Sequence, residues 1–117
     1  MTTLVQDLQA VLNPLATGGA SYGARTVGDQ SREYIVWQRV ASSPNVALGG
    51  PSDLQNTRVQ IDIYADTVAR AVAIEAALEA AMAASSIINV PLSSMDIYED
   101  PVRLYRVSKD YSIWATN

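Results

Sequence analysis

Residues 58–65 read Arg-Val-Gln-Ile-Asp-Ile-Tyr-Ala, alternating polar and apolar with a period of two. In an extended chain Val59, Ile61, Ile63 and Ala65 share one face, and Arg58, Gln60, Asp62 and Tyr64 the other. That alternation predicts a strand in an antiparallel sheet with one buried face. Residues 33–42 are rich in aromatic and β-branched side chains and predict its antiparallel partner. Between the two, residues 43–56 hold Pro44, Gly49, Gly50 and Pro51, too long a stretch for a tight turn, and predict a loop that is either a projecting arm ordered by a partner or a floppy surface segment.

A different period governs the segments on either side. Over residues 3–15, Leu4, Leu8, Val11, Leu12 and Leu15 fall on one helical stripe, with Thr3 and Gln6 spaced as a capping box. Pro14 and then Gly18-Gly19 end that helix. Residues 20–27 carry a strand signal interrupted by Gly23, and 28–32 a turn. Asp66 or Thr67 caps a second helix reaching about Ala84. On it Ala71, Ile74, Leu78 and Met82 form a bulky stripe for the sheet. Ala69, Ala73, Ala76, Ala80 and Ala83 form a second, methyl-only face, and a helix apolar nearly all round is expected to be covered on more than one side. Residues 87–91 read as a bridge, 94–99 as a strand, 100–102 as a turn and 104–115 as a long final strand whose mixed faces indicate partial exposure or an edge. Trp37 and Trp114 are expected in the core. The predicted fold is α+β: one domain over 1–117, an antiparallel sheet of about four to five strands, with the N-terminal helix and the long Ala-rich helix packed on it.

Composition narrows the chemistry. With 117 residues, 49% hydrophobic and 17% charged, the chain suits one globular domain. It has neither Cys nor His, which removes disulfides, thiolate catalysis and the commonest acid-base group and metal ligand. Twelve acids against eight bases leave a net charge of −4, which disfavours binding through a phosphate-neutralising patch. Arg103, Arg106 and Lys109 form the densest basic stretch and would not all share a strand face. An acidic protein suits a DNA passage better, because it does not stick. No run spans a bilayer, the polar face of the first helix carries no Lys or Arg, and no basic leader precedes it. The expectation is therefore a protein made and used in a cytosol, away from membranes.

No catalytic constellation is found: no Gly-x-Ser-x-Gly elbow, no phosphate-cradling Gly-rich loop and no base to activate a serine. Glu75 and Glu79 have the one-turn spacing of paired metal ligands. A carboxylate di-metal site in a helical bundle would also require Glu-x-x-His, and there is no His. They are expected to be solvated, or to meet a neighbouring subunit's Arg58 or Arg70. Asp62, central to a strand, is expected to pair with Arg58 or Arg39. No enzyme activity, cofactor or metal is predicted, and the protein is expected to act through its surfaces.

The order Tyr34-Ile35-Val36-Trp37-Gln38-Arg39-Val40, a Gly-containing loop, Arg58-Val59-Gln60-Ile61-Asp62-Ile63-Tyr64, an Ala-rich helix, then Tyr105-Arg106-Val107 and Asp110-Tyr111-Ser112-Ile113-Trp114 resembles the tail completion or tail terminator proteins of long-tailed bacteriophages. The resemblance covers nearly the whole chain. It implies a structural virion protein that assembles in the host cytoplasm as a homo-oligomeric ring, typically a hexamer. Such a ring caps the head-proximal end of the tail tube, stops its growth and meets the head-completion or stopper protein, and genomic DNA later passes through it. The implied contact residues are Val46 and Leu48 in the loop, Arg58 and Asp62 on the strand, and Arg70, Glu75, Ala76, Glu79 and Ala80 on the helix. Two other readings stay open: a head-completion or stopper protein of the same connector, and a cytosolic module that binds a small ligand or peptide by adding a strand to the edge of residues 104–115.

Overall fold

A computed structural model of the chain describes residues 4–23, 33–47, 50–85, 87–99 and 104–115, and of these the side chains except at 41–55, 97–99 and 115. The Thr3 cap, the turns at 28–32 and 100–102, and the end of the 20–27 strand signal lie outside the described residues. Helix α1 spans Leu4–Leu12 and passes at Pro14 into a 3-10 turn, Asn13–Leu15. Strands β1 (Ala20–Tyr22), β2 (Tyr34–Ala47) and β3 (Gly50–Ala65) precede helix α2 (Val68–Ala84); β4 (Ile88–Glu99) and β5 (Leu104–Ala115) follow it. They form a mixed five-stranded sheet in the order β1-β2-β3-β5-β4.

Alternation decides which side of this sheet is dry. Ile35, Trp37, Val59, Ile61, Ile63, Ala65, Val107, Tyr111 and Ile113 face the two helices, and Leu4, Leu8 and Leu12 of α1 join Ala71, Ile74, Leu78 and Met82 of α2 in covering them. The predicted stripes are thus the buried ones, and each fully buried Leu or Ile stabilises the fold by about 1.5–3 kcal/mol. Thr67 caps α2, its hydroxyl accepting the Arg70 amide at 3.2 Å. At the other end Met82 O accepts from the Ser85 hydroxyl at 2.8 Å and the Asn89 amide at 3.0 Å, which satisfies a terminal carbonyl without a glycine. Trp37 is core as expected, its indole N–H donating to Gln9 of α1 at 2.9 Å. Trp114 is half-buried on the side of the sheet away from the helices.

Three expectations are corrected. First, β1 runs parallel to β2, so the sheet is not wholly antiparallel. Gly19, at φ +74°, sets up that pairing: its carbonyl accepts the Ile35 amide at 3.0 Å, and a Cβ there would lie 2.7 Å from Asn13 Oδ1. Second, β5 is interior, between β3 and β4, and β4 is the edge. Its mixed face reflects a buried lysine instead of exposure. Third, 43–56 is not a loop. The β2–β3 ladder continues through Pro44↔Gln55 and Val46↔Pro51 to Ala47↔Gly50, with irregularities between Arg39 and Ala41 and between Pro44 and Val46. Prolines are tolerated in a ribbon whose outer edges are unpaired and at bulges, so these breakers do not end the strands. β5 joins β3 only from Gln55↔Ala115 onward, and beyond that point the ribbon projects alone. The subunit is accordingly elongated, 51 × 26 × 25 Å.

Candidate assembly surfaces

Lys109 lies on the helix side of β5, opposite Ile61, with its side chain 4% exposed. Its ammonium lies 2.6 Å from Glu79 Oε1 and 3.3 Å from Glu75 Oε2, and Ser94 donates to the same Glu75 oxygen at 2.6 Å. Burial alone would pull the Lys109 pKa down; the Glu79 hydrogen bond, the Tyr111 hydroxyl and Glu75 outweigh it and leave it raised. The two glutamates therefore each have a partner within their own subunit, although the Glu79 side chain stays 57% exposed. Arg70 is equally engaged at home. Its guanidinium grips Glu33 with two bonds, 2.7 and 2.9 Å, and Glu33 also accepts from the Thr17 amide and hydroxyl.

On the opposite face of the sheet the register sets a second pattern. Arg58 pairs diagonally with Asp110 at 2.7 Å, and Asp62 with Arg106 at 3.4 Å. Asp62 thus takes neither predicted partner. Arg58 lies four residues along the same strand, out of reach, and Arg39 turns to Tyr22, whose hydroxyl it meets at 3.2 Å.

Of the predicted contact residues, Ala76 and Ala80 are the pair left facing outward with no polar role. They sit on α2 with Ala69, Ala73 and Ala83, all exposed, beside exposed Val68 and Val72. Next to this face an apolar groove runs between Val68, Ala71 and Val72 of α2 and Asp96, Tyr105 and Val107 of the sheet. Val46 lies on the projecting ribbon, its side chain undescribed, and Leu48 is outside the described residues.

The sequence reading found the second half of β4 as the strand over 94–99 but missed its first half, read as a bridge, and its exposed apolar side chains. Ile88, Val90, Leu92 and Met95 are exposed along this edge strand, between 47% and 61%. Register places Ile88, Val90 and Met95 on the open face, opposite Trp114, Ser112 and Ser108. The signal was present, since Ile88, Val90 and Leu92 alternate with period two, but Pro91 demotes such a run. Here Pro91 sits on an edge strand beside a bulge, which also blunts the edge against indiscriminate pairing. Where β4 begins, Met82, Ala83, Ile87, Ile88, Asn89, Pro91, Glu79 and Tyr111 line a notch of about 590 Å³.

Among the described residues no group of three or more acidic side chains has metal-binding proximity, and no helix is long and apolar enough to cross a membrane. A family model described as tail completion protein gp17 matches residues 6–116 of this chain. No curated protein sequence matches it. Among solved structures, a chain in the virion of a native gene transfer agent (GTA) particle superposes with a TM-score of 0.68 at 20% identity, covering 98% of this chain and 92% of its own, a likeness of fold.

Proposed function

The chain belongs to the tail completion protein gp17 family, structural proteins of phage tails, and on that premise we propose that its subunits close into a ring, six in number, on the head-proximal end of the tail tube. The ring ends tube growth and offers its far side to the head-completion protein, and DNA passes through its opening. It acts by contact and carries out no chemistry. The observation that supports this most directly is the outward face of α2. Seventeen residues of helix are apolar on two sides, and the subunit's own sheet covers one of them. Large uncovered apolar faces mark association sites. A ring of more than two subunits needs two different patches on each, and the alanine face and the β4 margin lie on separate elements.

The test is the mass of the purified protein by light scattering, alone and mixed with tail-tube protein, with negative-stain images of the products. Rings, or tubes ending in a ring, are the expected result. Placing two carboxylates on the helix face with Ala76→Glu and Ala80→Glu should raise the concentration needed for assembly about a hundredfold, the effect of roughly 3 kcal/mol. Unchanged assembly would remove α2 from the contact. A single subunit that binds head-side protein but never caps tubes would instead make it a stopper.

A further inference from the structure

The base of the ribbon and the notch lie at nearly the same height on opposite flanks of the sheet, and from that base the ribbon extends away from the body. The ribbon leaves the body at Gln55↔Ala115, and the notch residues Ile88 and Asn89 pair with Trp114 and Ile113 of the same strand. They are therefore only one or two residues apart along the strand direction, roughly 3–7 Å. At this height, among the described residues, β2 is one edge of the sheet, since β1 pairs with Ile35, Val36 and Trp37, and β4 is the other edge. A rotation about an axis along the strands would carry the base of one subunit's ribbon to the next subunit's notch with little change of height. That is the condition for a contact between unlike patches to close into a ring instead of climbing into a filament.

The chemistry of the two matches as well. Residues 43–55 contain one charged residue, Asp53. The notch is walled mainly by Met82, Ala83, Ile87, Ile88 and Pro91. The Asn89 amide is spent on Met82 O and Ile87 O. Tyr111 closes the floor of the notch and is itself buried. A two-stranded ribbon without a core is marginal in water, so it gains by lying against apolar surface. We propose that the β2–β3 ribbon of each subunit docks in the α2–β4 notch of the next copy of this chain. The inference rests on the ring reading and adds which parts make the joint.

Two altered chains test it. In one, residues 44–55 are replaced by Asn-Gly, which closes a two-residue hairpin on the paired Ser43 and Asn56 and removes the ribbon. The other is Ala83→Glu, on the α2 wall of the notch at a position exposed enough to take a charge in the single subunit. Each alone, shown folded by circular dichroism, should stay single at about ten times the concentration at which the unaltered chain forms rings. Mixed, they should form pairs and nothing larger, because the intact ribbon of one meets the intact notch of the other and neither chain can continue. Rings from the shortened chain, or no pairs in the mixture, overturn the joint while leaving the ring reading intact. An unaltered chain that stays single even with tail-tube protein overturns both.

Should shortening disrupt the fold, the absence of native cysteine gives a second route. Val46→Cys with Ala83→Cys in one chain should yield, on oxidation, a ladder of linked subunits up to the closed ring. Val46→Cys with Asp7→Cys on α1 should yield none. Equal ladders, or none from the first pair within assembled rings, overturn the joint.

Discussion

The two faces of the sheet use the same strands and opposite rules. Toward the helices, β3 and β5 present Val59, Ile61, Ile63, Val107, Tyr111 and Ile113, and the one charge among them, Lys109, is held by two carboxylates from α2. Away from the helices the alternate residues of the same strands pair Arg58 with Asp110 and Asp62 with Arg106, and the Tyr34 and Tyr64 rings stack 4.7 Å apart. A charge removed from water must be matched by partners or it destabilises the fold; a charge at the surface has water as an alternative. Ion pairs that look alike in sequence should therefore differ greatly in weight.

The largest expected effect comes from stripping the buried charge of its partners. Glu75→Ala with Glu79→Ala should cost about 3–5 kcal/mol in urea unfolding, because Lys109 stays buried and uncompensated. Adding Lys109→Met should recover most of the loss. If the double change costs no more than a surface pair does, the contrast between the faces is wrong. This also explains why reversing both glutamates to lysine cannot report on the ring: it would place three ammonium groups around one site and disrupt the subunit first.

On the open face Arg58→Ala should cost only about 0.5 kcal/mol by the same measurement, and less in high salt, since Arg58 is 53% exposed. The smallest effect belongs to the seam where β2 meets the start of α2. The hydrogen bond from Arg70, opposed by burial and aided by the Thr17 amide and hydroxyl, holds the Glu33 carboxyl down at about 2, against an ordinary 4.5. A carboxyl depressed on folding contributes stability that is fully present above its unfolded value and is lost as pH falls from about 4.5 through 2. Glu33→Gln should flatten the dependence of Tm on pH across that window, its small cost being greatest at neutral pH, where the charged contact is intact. An unchanged slope there would mean that the contact does not persist in solution.

Much of the body was legible because burial on one side leaves a periodic trace. The period-two runs at 58–65 and 104–115 and the stripe Ala71, Ile74, Leu78 and Met82 are each where the pattern put them. Direction and adjacency leave no such trace. Nothing in three residues interrupted by glycines reveals that β1 runs parallel, and nothing in β5 reveals that β4 lies outside it. The candidate surfaces divided in the same way. Ala76 and Ala80 were found because a second apolar face on one helix is visible in sequence, whereas Ile88, Val90 and Met95 were hidden behind Pro91, and the ribbon behind Pro44, Gly49, Gly50 and Pro51.

By itself the sequence determined the two helices, the strong strands, the buried stripes and the lack of Cys and His, since these follow from local spacing and composition. Tertiary structure alone decided who pairs with whom. Glu75 and Glu79 reach down to Lys109, thirty residues from Glu79 along the chain, because it lies beneath them in the sheet. Asp62 takes Arg106 because register sets that arginine diagonally across from it. The ribbon stands clear of the body because β5 ends where the ribbon begins. Such contacts depend on strand order and register, which arise only when distant segments meet in one core.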